Sequence, residues 1–259
     1  MQILQAILLG IVQGLTEFIP VSSSGHLILT HALVDGALDT LAFDLALHVG
    51  TLVALALVFA KDFVGLAKGA IGRGPQVRMA RLIILGTIPA VIAGVLLQDL
   101  AETVFRSSNL VAVNLIGVAF IMLVAERLYR GRKDLNAIGS GESLAVGLAQ
   151  ALALVPGVSR SGITITSGML VGMDRVAATR FSFLLSAPII AGASLKVLLD
   201  STGLSQLTAQ PALYLAGATA AGIGGYLAIK FLLSYLAKHS LNIFAYYRII
   251  IGLAIILWL

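Results

Sequence analysis

Between Gln13 and His26 the chain reads QGLTEFIPVSSSGH, which puts a carboxylate, three consecutive serines and a histidine into one short interval broken by Pro20. Gln13 and Glu17 stand four apart and share a helix face on the last turns before that proline. The flanking sequence is apolar, and an ionised carboxylate at membrane depth costs several kcal/mol unless it is paired or hydrated, which marks Glu17 as a functional candidate. Ser22, Ser23, Ser24 and Gly25 bring hydroxyls and free backbone N–H groups to the start of a half-helix, where the positive end of the helix dipole attracts anions. His26 is suited to general acid–base work near neutral pH or, more blandly, to hydrogen-bonded packing.

A second stretch, QALALVPGVSRSGIT from Gln150 to Thr164, repeats the device. Gly10, Gln13, Ser22, Ser24 and Gly25 recur as Gly147, Gln150, Ser159, Ser161 and Gly162, each 137 positions later. Between the two serines of the second copy lies Arg160, whose guanidinium suits bidentate phosphate binding. A plainer role is available to it, neutralising Glu17 across a pseudo-two-fold axis. Thr164 and Thr166 either donate to an anion or bond back to their own helix. His48, four residues after Asp44, is a weak candidate for metal or supporting contacts, His31 has no such company, and His239 lies in a basic loop. Arg248 sits inside an apolar segment with no partner evident from the sequence.

The elements that must position these groups are membrane helices. The chain has 259 residues, 59% of them hydrophobic and 11% charged, with a mean hydropathy of +1.01, and this composition belongs to the integral membrane class. With no cysteine, thiol nucleophiles, zinc–thiolate sites and disulfides are excluded. Met1 to Leu9 lacks a charged n-region and a cleavage site and reads as mature sequence. Apolar segments fall at 2–34, 41–60, 82–98, 109–126, 143–172, 181–199, 211–236 and 242–259, against about 20 residues needed for a span. Six are expected to be full transmembrane helices. The first and fifth are broken near the middle by Pro20 and by Pro156–Gly157, with serines directly after, and are expected to be re-entrant helical hairpins lining a polar cavity. Each hairpin is followed by three spans. The expectation is a single all-α transmembrane domain, 1–259, built as an inverted-topology repeat of 1–128 and 142–259.

Charge orients it. Of the 17 basic residues, 13 fall in the regions 61–81, 127–141, 173–180 and 230–240, all on one side under this count. That side is cytoplasmic, which leaves both termini outside. The opposite loops carry Asp35, Asp39, Asp99, Glu102 and Asp200 against Arg106. A net charge of +5 therefore reports membrane orientation, and no nucleic-acid partner is expected.

Together these residues describe an anion site within the bilayer. No Walker-type phosphate loop occurs, so a phosphate ester of a lipid fits better than a soluble nucleotide. A diphosphate also invites a divalent cation with oxygen ligands, Mg²⁺ or Ca²⁺.

QGLTEFIPVSSSGH resembles the first signature of the bacterial undecaprenyl-diphosphate phosphatases, the bacitracin-resistance membrane proteins, and PGVSRSGIT resembles their second. FDLALHVGT, FSFLLSAPI and FAYYR extend the likeness over nearly the whole chain. The resemblance implies removal of the terminal phosphate of undecaprenyl diphosphate to give the monophosphate carrier for cell-wall synthesis. It also implies a divalent cation, a polyprenyl diphosphate lipid partner and a site opening to the outer face of the cytoplasmic (inner) membrane. Carried over by residue, Glu17 is the motif carboxylate and a metal ligand, Ser23 the nucleophile or phosphate-binding serine, His26 its acid–base partner and Arg160 the phosphate clamp. Ser22, Ser24, Gly25, Ser159, Ser161, Gly162 and Thr164 then bind substrate around them. Gln13 stands where many members carry a second Glu, which leaves Gln13 or Asp44 as the further candidate metal ligand. Two routes stay open, attack by Ser23 or by a water activated by Glu17 or His26. A homodimer is an open expectation for assembly. The rival class is a polyprenyl-phosphate flippase or transporter, since inverted repeats with broken helices serve transport equally well.

Overall fold

The computed structural model describes residues 2–34, 38, 40–69, 74–103, 107–199 and 201–258, and all their regular structure is helical. The first half runs through α1 (Gln2–Phe18), α2 (Ser23–Leu33), α3 (Leu41–Val58), α4 (Ala60–Gly69), α5 (Pro75–Thr103) and α6 (Ser108–Arg127). The second runs through α7 (Ser140–Leu152), α8 (Arg160–Leu170), α9 (Arg175–Leu199), α10 (Ser201–Ala209), α11 (Pro211–Leu236) and α12 (Asn242–Trp258). Order and relative length recur between the halves.

Helix boundaries follow local chemistry. The breaks α1/α2 and α7/α8 fall around Pro20 and around Pro156–Gly157, because a proline ring has no N–H to give and clashes with the preceding turn. Thr40 and Ser107 cap α3 and α6 by accepting from the N–H groups of Phe43 (3.2 Å) and Leu110 (3.3 Å). Pro75 and Pro211 open α5 and α11, where a missing N–H costs nothing. Among the described residues five helices are long and apolar enough to cross a membrane: Leu41–Val58, Pro75–Leu97, Ser108–Leu128, Arg175–Leu195 and Pro211–Leu236. The sixth expected span is α12, apolar but 17 residues long.

Regions 61–81 and 200–210, read as loops from the sequence, contain the short helices α4 and α10. In α4 the reason is local: Asp62 in the first turn and Lys68 in the last both complement the helix dipole. Asp35, Asp39, Arg73, Arg106 and Asp200, which contribute to the charge count across the bilayer, lie outside the described residues, as do the side chains of Asp99 and Glu102.

Close helix contacts are made at glycines. Helix α1 packs on α11 and α7 on α5. A Cβ at Gly10 would run into the carbonyl oxygen of Gly217, and one at Gly147 into that of Gly86. Small residues let backbones approach where lipid offers no hydrophobic drive to associate. Directly under the hairpin breaks, Phe183 of α9 receives Phe18 (ring centroids 5.3 Å apart) and Phe59 (6.2 Å) edge-on, fixing the end of α1 against the core.

At the end of the bundle where the linker joins the halves, Glu126 accepts from Arg175 Nε at 3.0 Å and from the Leu241 N–H at 2.6 Å. Glu142, at the head of α7, accepts from the Lys133 ammonium and from the Gly139 N–H. These two donors hold its carboxyl down at about 2, against an ordinary 4.5.

Candidate active site

Both hairpin turns are built on a strained serine. Ser22 has φ 77° and Ser159 φ 70°, the two non-glycine residues with positive φ among the described residues. Such a conformation costs about 1–3 kcal/mol and persists where surrounding contacts overdetermine it. The contacts are the same in both copies. Ser22 Oγ accepts from the Gly25 N–H (3.4 Å) and Ser159 Oγ from the Gly162 N–H (3.1 Å), so each strained serine caps the helix that follows.

The two turns also hold each other. Ser24 Oγ of the first accepts from the Gly157 N–H of the second at 3.4 Å, and Ser161 Oγ of the second donates to the Ile19 carbonyl of the first at 3.2 Å. Through both runs Arg248 of α12, wholly buried. Its guanidinium donates to the carbonyls of Leu115 (3.1 Å), Asn114 (3.3 Å), Pro20 (3.4 Å), Gly157 (2.9 Å) and Val158 (3.1 Å). The carbonyls of Pro20, Gly157 and Val158, freed where the helices break, are thereby satisfied by one cation anchored on α6, which is how irregular backbone survives inside a membrane bundle.

This clasp brings Glu17, Ser23 and Arg160 together. Ser23 Oγ donates to Glu17 Oε2 at 2.6 Å, Gln13 Nε2 donates to the same oxygen at 2.9 Å, and Arg160 Nη2 binds Glu17 Oε1. Glu17 is 7% exposed, so its charge is supported by a guanidinium, a hydroxyl and an amide at once. The second Arg160 nitrogen, Nη1, is buried without a partner. Above the cluster opens a cavity of about 240 Å³ lined by Glu17, Ser22, Ser23, Ser24, His48, Gln150, Ser159 and Arg160, with Leu45, Ala90, Leu154, Ile189, Ile190 and Ala193 among its apolar walls.

Other sequence candidates lie elsewhere. His26 Nδ1 donates to the Ser22 carbonyl (2.7 Å), and Nε2 pairs with Tyr247 Oη (2.7 Å), on whose ring the imidazole also stacks. Both ring nitrogens are thus engaged away from Ser23. Thr164 Oγ1 donates back to the Arg160 carbonyl at 2.7 Å and meets Ser182 Oγ at 2.6 Å, in the α8–α9 packing rather than the cavity. Gly25, Ser161 and Gly162 shape the turns without lining the cavity. Asp44 Oδ1 faces His31 Nε2 at 3.1 Å and is not joined to Glu17.

Three residues gain a place that the sequence reading did not give them. His48, anchored through Nδ1 to the Asp44 carbonyl (2.8 Å), brings Nε2 to 3.6 Å from Glu17 Oε2. Gln150, noted in the sequence as a repeat marker, lines the cavity. Arg248 proves to be the clasp. An arginine or glutamine inside an apolar segment was the available signal, but its target lies more than 90 residues away in the chain for most of these contacts.

For a cation, the nearby donors are hard oxygens: the Glu17 carboxylate, Ser23 Oγ and Gln13 Oε1, the last buried and unpartnered beside Glu17. Among the described residues no group of three His, Cys, Asp or Glu side chains converges to cage a metal. The protein's donors fit a cation that takes its remaining ligands from a bound phosphate and water, the habit of Mg²⁺.

Fold and site define a class: a multi-pass helical membrane protein whose two broken helices meet at a serine–carboxylate–guanidinium cluster. Residues 6–254 match the family described as Bacitracin resistance protein BacA. Undecaprenyl-diphosphatase of Thermodesulfovibrio yellowstonii is 44% identical over 258 residues, covering 99% of this chain and 97% of that protein. That of Rubrobacter xylanophilus is 46% identical over 258 residues, covering 96% and 95%. The chain belongs to the BacA bacitracin-resistance family.

Proposed function

We propose that this protein is an undecaprenyl-diphosphatase, a membrane hydrolase that removes the terminal phosphate of undecaprenyl diphosphate and so returns the monophosphate lipid carrier and counters bacitracin. The observation that carries this is the hydrogen bond from Ser23 to Glu17 inside a cavity walled by apolar side chains and faced by Arg160. The curated relatives bear that enzyme's name over nearly their full length.

Ser23 is the nucleophile of the reaction we propose. As its oxygen attacks the terminal phosphorus, its proton passes to Glu17 Oε2, and the bond from that phosphorus to the bridging oxygen breaks to release undecaprenyl phosphate. Glu17 passes that proton on to the oxygen of the departing lipid phosphate. Water then attacks the phosphoserine phosphorus and gives a proton to Glu17 while the bond from phosphorus to Ser23 Oγ breaks; Glu17 returns the proton to Ser23 Oγ, and inorganic phosphate leaves. Arg160 holds the phosphoryl oxygens while charge spreads over them, and phosphoryl transfer needs little else but position and charge. A divalent cation, Mg²⁺ or Ca²⁺, held by Glu17 and the Gln13 carbonyl together with the diphosphate, would supply further neutralisation of the phosphate oxygens.

The same proposal covers the finer topology. Six spans plus two re-entrant hairpins, as inverted repeats 1–128 and 142–259, are supported by the recurrence of the strained serines and by the matched pairings α1 on α11 and α7 on α5. The excess of basic residues in the linkers supports a cytoplasmic placement of that end, in the cytoplasmic (inner) membrane, with the site reached from the outer face.

Phosphate release from undecaprenyl diphosphate by the purified protein in detergent micelles is the test. A flippase needs two compartments and would release none, whereas the hydrolase turns over in micelles. Acid-quenched protein carrying phosphate on Ser23 supports the covalent route, and a Ser23→Ala variant retaining most of its turnover excludes it.

A further inference from the structure

The repeat leaves one side chain without the partner its twin has. Gln13 spends its amide on Glu17, one turn on. In the second copy the position corresponding to Glu17 is Leu154, so Gln150 has no acid to hold. It is 3% exposed, it lines the cavity, and neither its Nε2 nor its Oε1 has a hydrogen-bond partner. An unpaired buried amide costs about 1–3 kcal/mol for each polar group left bare. The next free donor of the same cavity is Arg160 Nη1, which corresponds in the repeat to the position of Ser23. Two orphaned N–H donors from one hairpin therefore face a space whose other side carries Ser23 and Glu17.

We infer that Gln150 is a diphosphate-binding residue, its amide N–H donating to a phosphoryl oxygen of the lipid beside the one held by Arg160 Nη1. This rests on the phosphatase reading and adds to it a division of labour between the twin glutamines. Gln13 serves the acid, and Gln150 serves the substrate. Ala151, Ala153 and Leu154, which follow it in the chain, line the same cavity with apolar surface. A neutral amide suits this position because it contributes a donor without adding a charge that would compete with the Glu17–Arg160 pair.

The experiment is steady-state phosphate release from undecaprenyl diphosphate in micelles by wild type, Gln150→Leu and Gln150→Glu, with the melting temperature of each. Loss of a hydrogen bond to a charged group predicts a KM for Gln150→Leu raised about tenfold to a hundredfold, with kcat within a few-fold of wild type. Its melting temperature should be unchanged or higher, since leucine removes an unsatisfied amide from the interior. Gln150→Glu, nearly isosteric, should raise KM at least as far, because its carboxylate repels the diphosphate. A wild-type KM in either folded variant overturns the inference while leaving the phosphatase reading intact. Wild-type protein that releases no phosphate sinks that reading first, and the role of Gln150 with it.

Discussion

Ser23 can lose its proton only to a group it touches, and that group is Glu17, at 2.6 Å. Glu17→Gln keeps the size of the side chain but offers one acceptor oxygen where Ser23 and Arg160 use two, so its melting temperature should fall by a few degrees, while kcat falls about 10²–10⁴-fold, the usual range for a lost general base. Arg160→Lys keeps a cation beside Glu17 but loses the planar fork, and phosphate release should drop about 10²–10³-fold with little change in melting temperature. Alanine is the poorer probe at that position: it strands a buried carboxylate at a cost of about 3–5 kcal/mol, and unfolding would mask the chemistry. Much of this cluster was legible in the sequence because Glu17, Ser23 and Arg160 are residue types out of place in apolar segments, set among glutamines, serines and glycines that recur at one offset. His48 was not, since its approach to Glu17 depends on how α3 lies against α1, and neither spacing nor residue type reports that. The position of His26 was misleading for the converse reason. Sequence proximity to Ser23 says nothing about Tyr247, which is 221 residues distant and takes the imidazole.

The hairpins keep their shape through contacts that individual helices cannot supply. Gly10 and Gly147 are the points where α1 and α7 touch α11 and α5 backbone to backbone, so Gly10→Val should force those helices apart and destabilise by about 1–3 kcal/mol, read as a lower melting temperature in detergent. Arg248→Met removes the guanidinium donors from the clasp and leaves several hairpin carbonyls bare. Its melting temperature should fall by several degrees, with an activity loss that repacking cannot restore. At the head of α7, Glu142 has its pKa depressed to about 2 from an ordinary 4.5. A depressed carboxyl stabilises the folded state above its unfolded pKa and loses that contribution as pH falls through the folded one. The melting temperature of wild type should therefore exceed that of Glu142→Gln at neutral pH, and the gap should close as pH drops from about 4.5 toward about 2. At this scale the broken helices and their caps were readable, because proline and serine act locally. The short helices α4 and α10 were hidden inside stretches whose charge and polarity read as loop.

For the molecule as a whole, the proposal is that two oppositely inserted halves meet so that one contributes the acid and nucleophile and the other the cation. The chain has no cysteine, so single cysteines report topology without background. Cysteine at Ala137, exposed in the linker, should react with a membrane-impermeant thiol reagent only in inside-out vesicles, and cysteine at Gln210 only in right-side-out ones. Long apolar segments, two interruptions and a charge bias were all visible in the linear chain, whereas the meeting of the interruptions at one carboxylate required the folded arrangement. The most direct test of that meeting is a double-mutant cycle on kcat/KM for undecaprenyl diphosphate, using Glu17→Gln, Arg160→Lys and the pair. If the two side chains act as one unit, each single variant loses at least about a hundredfold and the double variant falls little below the weaker single. Losses that multiply in the double variant would mean that the two residues act independently, and would contradict a shared site between the hairpins.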